Sequence, residues 1–93
     1  MRVNNLFDLG GKVALVTGGS RGIGRMIAEG FLRHGARGYI SSRKAEACDH
    51  AAAELSAIGP CTSLPADVSS VAGVEALAAQ LGAREPKLDI LVN

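Results

Sequence analysis

Apolar and polar positions along this chain follow two periods in turn, dividing it into short extended runs separated by helical ones. Residues 12–18 (KVALVTG) hold a continuous apolar centre after the Gly10-Gly11 turn, which predicts a strand buried on both faces. Three weaker runs of the same kind follow at residues 38–42, 61–66 and 88–93. Between the first two strands, Ile23, Ile27 and Phe31 recur every fourth residue while Arg25, Glu29 and Arg33 take another face. That spacing predicts one amphipathic helix, closed near Gly35. Residues 44–58 carry Cys48, Ala51, Leu55 and Ile58 as an apolar stripe opposed by Glu46, Asp49 and Glu54, with Gly59-Pro60 as the stop. A third helix is expected to open at Ser69 or Ser70, bury Val71, Val74, Leu77, Ala78 and Leu81, and stop at Gly82.

Strands and helices in alternation are the signature of βαβ units and a parallel sheet. Right-handed crossovers through each helix predict a doubly wound, Rossmann-type α/β sheet, cut off after its fourth strand, with the first strand central and beside the fourth. Ligands bind such sheets where the strand order reverses, which here means the carboxyl ends of strands one and four, at Gly18 and Asn93. The 93 residues suit one domain. A chain of this size buries only about 60 to 65% of its unfolded surface, so independent stability is in question.

Strand one runs directly into TGGSRGIG, which places Gly18, Gly22 and Gly24 at the turn and at the opening of the first helix. Glycine accepts positive φ in a tight turn and lets a phosphate approach the backbone. The free amides of the first helical turn, with about half a positive charge from the macrodipole, then face an anion. A plain connecting loop is the bland alternative. The spacing GxxxGxG is neither GxGxxG nor a P-loop, because no lysine follows Gly24, and this disfavours an NTPase.

Sheets of this kind that bind NAD place a carboxylate at the end of the second strand, roughly 20 residues past the glycines. Here that strand ends Ser41-Ser42-Arg43-Lys44, and a further cation, Arg21, lies inside the glycine turn. Such cations suit a 2′-phosphate, which points to NADP(H). The alternative is that Arg43 and Lys44 are solvated charges opening the second helix.

The run TGGSRGIG after a first strand, Asp67-Val68 after a third and Leu91-Val92-Asn93 at a fourth resemble short-chain dehydrogenase/reductases over the whole chain. The resemblance implies that Ser20, Arg21 and Ile23 line the phosphate and ribose region, that Asp67 and Val68 meet the adenine, and that Asn93 borders the cofactor. Asp67 also reads as a helix cap ahead of Ser69. The family moves hydride between nicotinamide and a carbonyl or alcohol, using a tyrosine, a lysine four residues on and an earlier serine. None of that set is found here, since Tyr39 is followed four residues later by Arg43. Tyr39 is therefore expected in the core or beside the adenosine, and neither His34 nor His50 is assigned catalysis. The resemblance is nearest to reductases of 3-oxoacyl thioesters, through VALVTGGSRGIG and ISSRK, and it implies a homo-oligomeric full-length protein.

Composition narrows the alternatives. A formal charge of +1 without a basic cluster argues against a nucleic-acid partner. No apolar run approaches the roughly 20 residues of a membrane span, and the opening MRVNNLFDLGGK has no secretory pattern, so a cytoplasmic location is expected. Cys48 and Cys61 lack metal or redox spacing and read as ordinary half-buried thiols. Residues 1–93 are thus expected to be the N-terminal, cofactor-binding part of one Rossmann-type domain whose catalytic part lies elsewhere. A non-catalytic dinucleotide-binding module completed by another chain is the competing expectation.

Overall fold

A computed structural model describes residues 8–93, and residues 1–7 of the opening stretch lie outside the described residues. Seven elements follow one another as β1 (Val13–Thr17), α1 (Gly22–Arg33), β2 (Arg37–Ser41), α2 (Ala45–Leu55), β3 (Cys61–Ser63), α3 (Val71–Arg84) and β4 (Ile90–Val92). The strands form one parallel sheet in the order β3-β2-β1-β4, so β1 is central and lies beside β4, as the alternating pattern predicts.

Side-chain alternation along each strand divides the core into two layers. Val16 and Ile40 face α1 and α2, where Ala28, Leu32, Cys48, Ala51, Ala52 and Leu55 close over them. Val13, Leu15 and Tyr39 face the other way and meet Leu77 and Leu81 of α3 together with Leu64. At the amino edge of the sheet, Asp89 takes the backbone N–H of Val13 at 2.8 Å and returns its own N–H to the Val13 carbonyl at 2.9 Å, setting the start of the β1–β4 pairing.

Several expected boundaries and faces differ. α1 buries Ala28 and Leu32, with Ile27 and Phe31 half-buried, whereas Ile23 at its start is 75% exposed. The regular part of β3 stops at Ser63 rather than Ala66, yet the N–H groups of Leu64 and Ala66 still reach the carbonyls of Ile40 and Ser42. Pro65 falls between those donors, where its missing N–H would have pointed away from β2 at the sheet's edge. α3 does not stop at Gly82 but runs to Arg84 and ends at Glu85, which is extended (φ −132°, ψ 138°) because Pro86 disfavours a helical residue before it. Its expected stripe is only partly buried. Leu77 and Leu81 are inside, while Val71, Val74 and Ala78 are exposed.

Candidate functional site

The turn between β1 and α1 depends on two left-handed glycines, Gly18 (φ +72°) and Gly22 (φ +64°), which bend the chain sharply off the strand end. Two further glycines are required by crowding. A Cβ on Gly24 would sit 2.3 Å from the Gly18 carbonyl oxygen, and one on Gly19 would sit 2.7 Å from Ile40 Cγ2. Close packing of the turn on the sheet is thus made at Gly19, which the motif reading passed over, and Gly24 folds the turn onto itself.

The amides of this turn are not all free. Gly18 N–H donates to the Ser41 carbonyl at 2.7 Å, fastening the turn to the end of β2. α1 begins after an extended Arg21 that makes no side-chain cap hydrogen bond, so the first-turn N–H groups carry the exposed positive end of the helix.

A hollow of about 230 Å³ lies between that turn and the end of β2, lined by Gly18, Ser20, Arg21, Ser42, Arg43, Lys44 and Ala47. Six of these were expected from the sequence, and three are cations, with no acid among the seven. Lys44 is also the residue preceding α2, and Ser42 Oγ donates to its carbonyl at 3.2 Å, closing the short turn out of β2. Opening a helix and facing the hollow therefore coexist at Lys44. Gly22, Ile23 and Gly24 lie alongside in the first turn of α1.

Val68 and Asn93 line a different, mainly apolar hollow of about 310 Å³ on the α3 face of the sheet, with Leu15, Thr17, Leu77, Leu81 and Leu91 among its walls. Asp67 lines neither hollow. Its Oδ1 takes the backbone N–H of Ser69 at 3.0 Å and the Ser69 hydroxyl at 2.5 Å, forming a turn just ahead of α3. Those Ser69 donors hold its carboxyl below the usual carboxylate range, and the Arg43 charge adds to the effect, linking Asp67 electrostatically to the first hollow. The cap of α3 itself is Ser70, whose Oγ takes the Gly73 N–H at 3.0 Å.

Tyr39 is a core residue, 4% exposed, and its hydroxyl donates to the buried Glu85 carboxylate. The same carboxylate oxygen takes Arg37 Nη1 at 3.0 Å. Burial, followed by the Glu85 carboxylate, pushes the Tyr39 phenol above its ordinary value. Burial likewise pushes the Cys61 thiol up to about 11. Among the described residues no group of three His, Cys, Asp or Glu gathers where a metal would sit, and no helix is long and apolar enough to cross a membrane.

Parallel order β3-β2-β1-β4 with a glycine turn at the carboxyl end of its central strand defines a Rossmann-type α/β protein. The chain belongs to the short chain dehydrogenase family, whose model matches residues 12–93. It is 59% identical over 87 residues to a rhamnolipids biosynthesis 3-oxoacyl-[acyl-carrier-protein] reductase of Pseudomonas aeruginosa, covering 94% of this chain and 34% of the relative. Identity to a sorbitol dehydrogenase of Cereibacter sphaeroides is 44% over 86 residues, 91% of this chain and 32% of the relative. The chain thus spans about a third of the length of these curated relatives. Among solved structures, an NADP active-site complex of RhlG from Pseudomonas aeruginosa superposes with a TM-score of 0.93 at 56% identity, covering 100% of this chain and 37% of that one. An L-sorbose reductase of Gluconobacter frateurii complexed with NADPH and L-sorbose gives a TM-score of 0.87 at 36% identity, over 92% of this chain and 34% of that one.

Proposed function

We propose that this chain is the NADP(H)-binding part of an oxidoreductase that moves hydride between nicotinamide and a carbonyl or alcohol, with a 3-oxoacyl thioester as substrate. The observation that carries the reading is the hollow in which Arg21, from the glycine turn, meets Arg43 and Lys44, from the end of β2. Three cations without an acid among the lining residues fit a dianionic 2′-phosphate, and a carboxylate suited to a ribose diol is not among them. The names of the relatives support the same cofactor and substrate class.

In this reading Ser20, Arg21, Gly22, Ile23 and Gly24 hold the pyrophosphate and adjoining ribose, with Gly18 making room for them. Ser42, Arg43 and Lys44 hold the 2′-phosphate, Asp67 and Val68 meet the adenine, and Asn93 borders the cofactor at the end of β4. The bound nicotinamide supplies or accepts the hydride. What these residues contribute is binding and orientation. Tyr39 takes no part, because its hydroxyl is spent on Glu85 beneath α3. The proton-transfer groups of the reaction belong to another part of the same domain, in a homo-oligomeric, cytoplasmic protein.

A charge-assisted hydrogen bond contributes about 1.5 to 3 kcal/mol, so one arginine favours NADP(H) over NAD(H) by about tenfold to a hundredfold. In the full-length protein, Arg43→Asp should raise the KM for NADPH by about that factor and leave the KM for NADH nearly unchanged. Equal losses for both cofactors reject the assignment. The reductase half is tested by following NADPH absorbance with 3-oxoacyl thioesters and a panel of ketones, and NADPH binding without turnover of any of them rejects it.

A further inference from the structure

Resting on the NADP(H) reading above, we propose that Ala47, on the first turn of α2, is a specificity-determining residue that keeps the 2′-phosphate hollow open and positive. The hollow is walled by the glycine turn and the end of β2 on two sides, and Ala47 is its one contribution from α2. Ala47 lines the same hollow as Arg21, Arg43 and Lys44. Glu46 lies one residue earlier, about 100° round the helix, and is not among the lining residues. α2 therefore opens with an acid, favourable for its macrodipole, that is not part of the hollow's lining. The position that does line the hollow has neither charge nor bulk.

Two consequences follow from that placement. A carboxylate at position 47 would stand among the three cations, pair with them and repel a dianionic phosphate, while a ribose with free hydroxyls would meet an acceptor instead. A larger neutral side chain would fill part of the 230 Å³ without reversing the charge. Charge and size at this one position are therefore separable, and charge is the component that discriminates the two cofactors.

The test is calorimetric titration of the full-length protein with NADP⁺, NAD⁺ and adenosine 2′,5′-bisphosphate, which isolates the phosphate end. Ala47→Glu should weaken NADP⁺ and the bisphosphate by about tenfold or more and leave NAD⁺ within about twofold, the size of change that one charge-assisted hydrogen bond makes. Ala47→Gln should weaken all three by similar, smaller factors. Ala45→Glu places the same charge on the same turn outside the lining residues and should leave the NADP⁺/NAD⁺ ratio as it is. An unchanged unfolding midpoint for Ala47→Glu establishes that the fold is intact. Equal weakening of NADP⁺ and NAD⁺ by Ala47→Glu, or no weakening at all, overturns the proposal. If Arg43→Asp shifts the ratio where Ala47→Glu does not, only the role of Ala47 falls. If the unsubstituted protein shows no preference for NADP⁺, the cofactor reading falls and takes Ala47 with it.

Discussion

The Thr17 hydroxyl donates to Asn93 Oδ1 at 2.8 Å, joining the carboxyl ends of β1 and β4 across 76 positions of sequence. The parallel register that aligns Val16 with Val92 brings the next residue of each strand side by side, so the bond falls where the strand order reverses. It orients the Asn93 amide at the mouth of the apolar hollow that both residues line.

Thr17→Val removes this donor while keeping the shape of the side chain. A neutral hydrogen bond contributes about 1 kcal/mol, so the variant should unfold at lower urea, with Thr17→Ser restoring most of the loss. An unchanged urea midpoint for Thr17→Val would show that the bond carries no stability.

Gly24→Ala forces a methyl group against the Gly18 carbonyl oxygen, at a separation of 2.3 Å that is far inside van der Waals contact of a carbon with an oxygen. The turn must shift, and NADPH affinity should fall by about tenfold or more as the phosphate-facing amides move. Gly30, six residues further along α1, has nothing within 4 Å of the same added methyl. Gly30→Ala should raise stability by about 1 kcal/mol through helix propensity and leave NADPH affinity alone. Calorimetric titration and urea unfolding of the two variants check both outcomes.

Glu85 and Ser41 are the buried polar side chains among the described residues, and Glu85 ties the end of α3 to β2 through Tyr39 and Arg37. The Tyr39 hydroxyl, followed by Arg37, holds its carboxyl below the ordinary value of 4.5. The Val13 backbone N–H does the same first for Asp89, below 3.8. A carboxyl depressed in the folded state binds its proton more readily when unfolded, so its contribution is complete above the ordinary value and is lost as pH falls through the folded one. Thermal midpoints should therefore be flat near neutrality and drop below about pH 4.5, with a shallower drop in Glu85→Gln. At pH 7 that variant should unfold at lower urea than the unsubstituted protein, because Tyr39 and Arg37 both lose their charged partner.

Ser41 offers the opposite case. It is 1% exposed and its Oγ has no hydrogen-bond partner, although its backbone carbonyl receives Gly18. Burying an unpaired hydroxyl costs about 1 to 3 kcal/mol, and Ser41→Ala removes that cost while leaving a small void. The alanine variant should be at least as stable as the unsubstituted protein in urea unfolding, and a loss of more than about 1 kcal/mol would mean that the hydroxyl is satisfied.

Local order was legible wherever a physical rule acts within a few residues. The apolar centre of β1, the GxxxGxG turn and the stripe of α2 each obey a short-range steric or periodic constraint, and each element lies where that constraint put it, except that α2 ends at Leu55, short of the expected Ile58. The basic end of β2 was readable as well, because Ser42, Arg43 and Lys44 are consecutive. The stop of α3 differs from expectation for an equally local reason. Gly82 weakens a helix but does not forbid it, whereas Pro86 constrains the residue before it.

What the chain's own order determined, then, was the succession of strands and helices, the parallel class of the sheet and the glycine turn after β1, since each depends on side-chain period and backbone freedom close at hand. Only the tertiary structure decided which distant groups come together: Thr17 with Asn93, Glu85 with Tyr39, and Ala47 beside the same hollow as Arg21 of the glycine turn. It also left Ile23 and Val71 in solvent although their spacing matches a buried stripe. Periodicity tells which residues share a face. Whether another element covers that face is set by the packing of the whole sheet, a relation that no stretch of neighbouring residues contains.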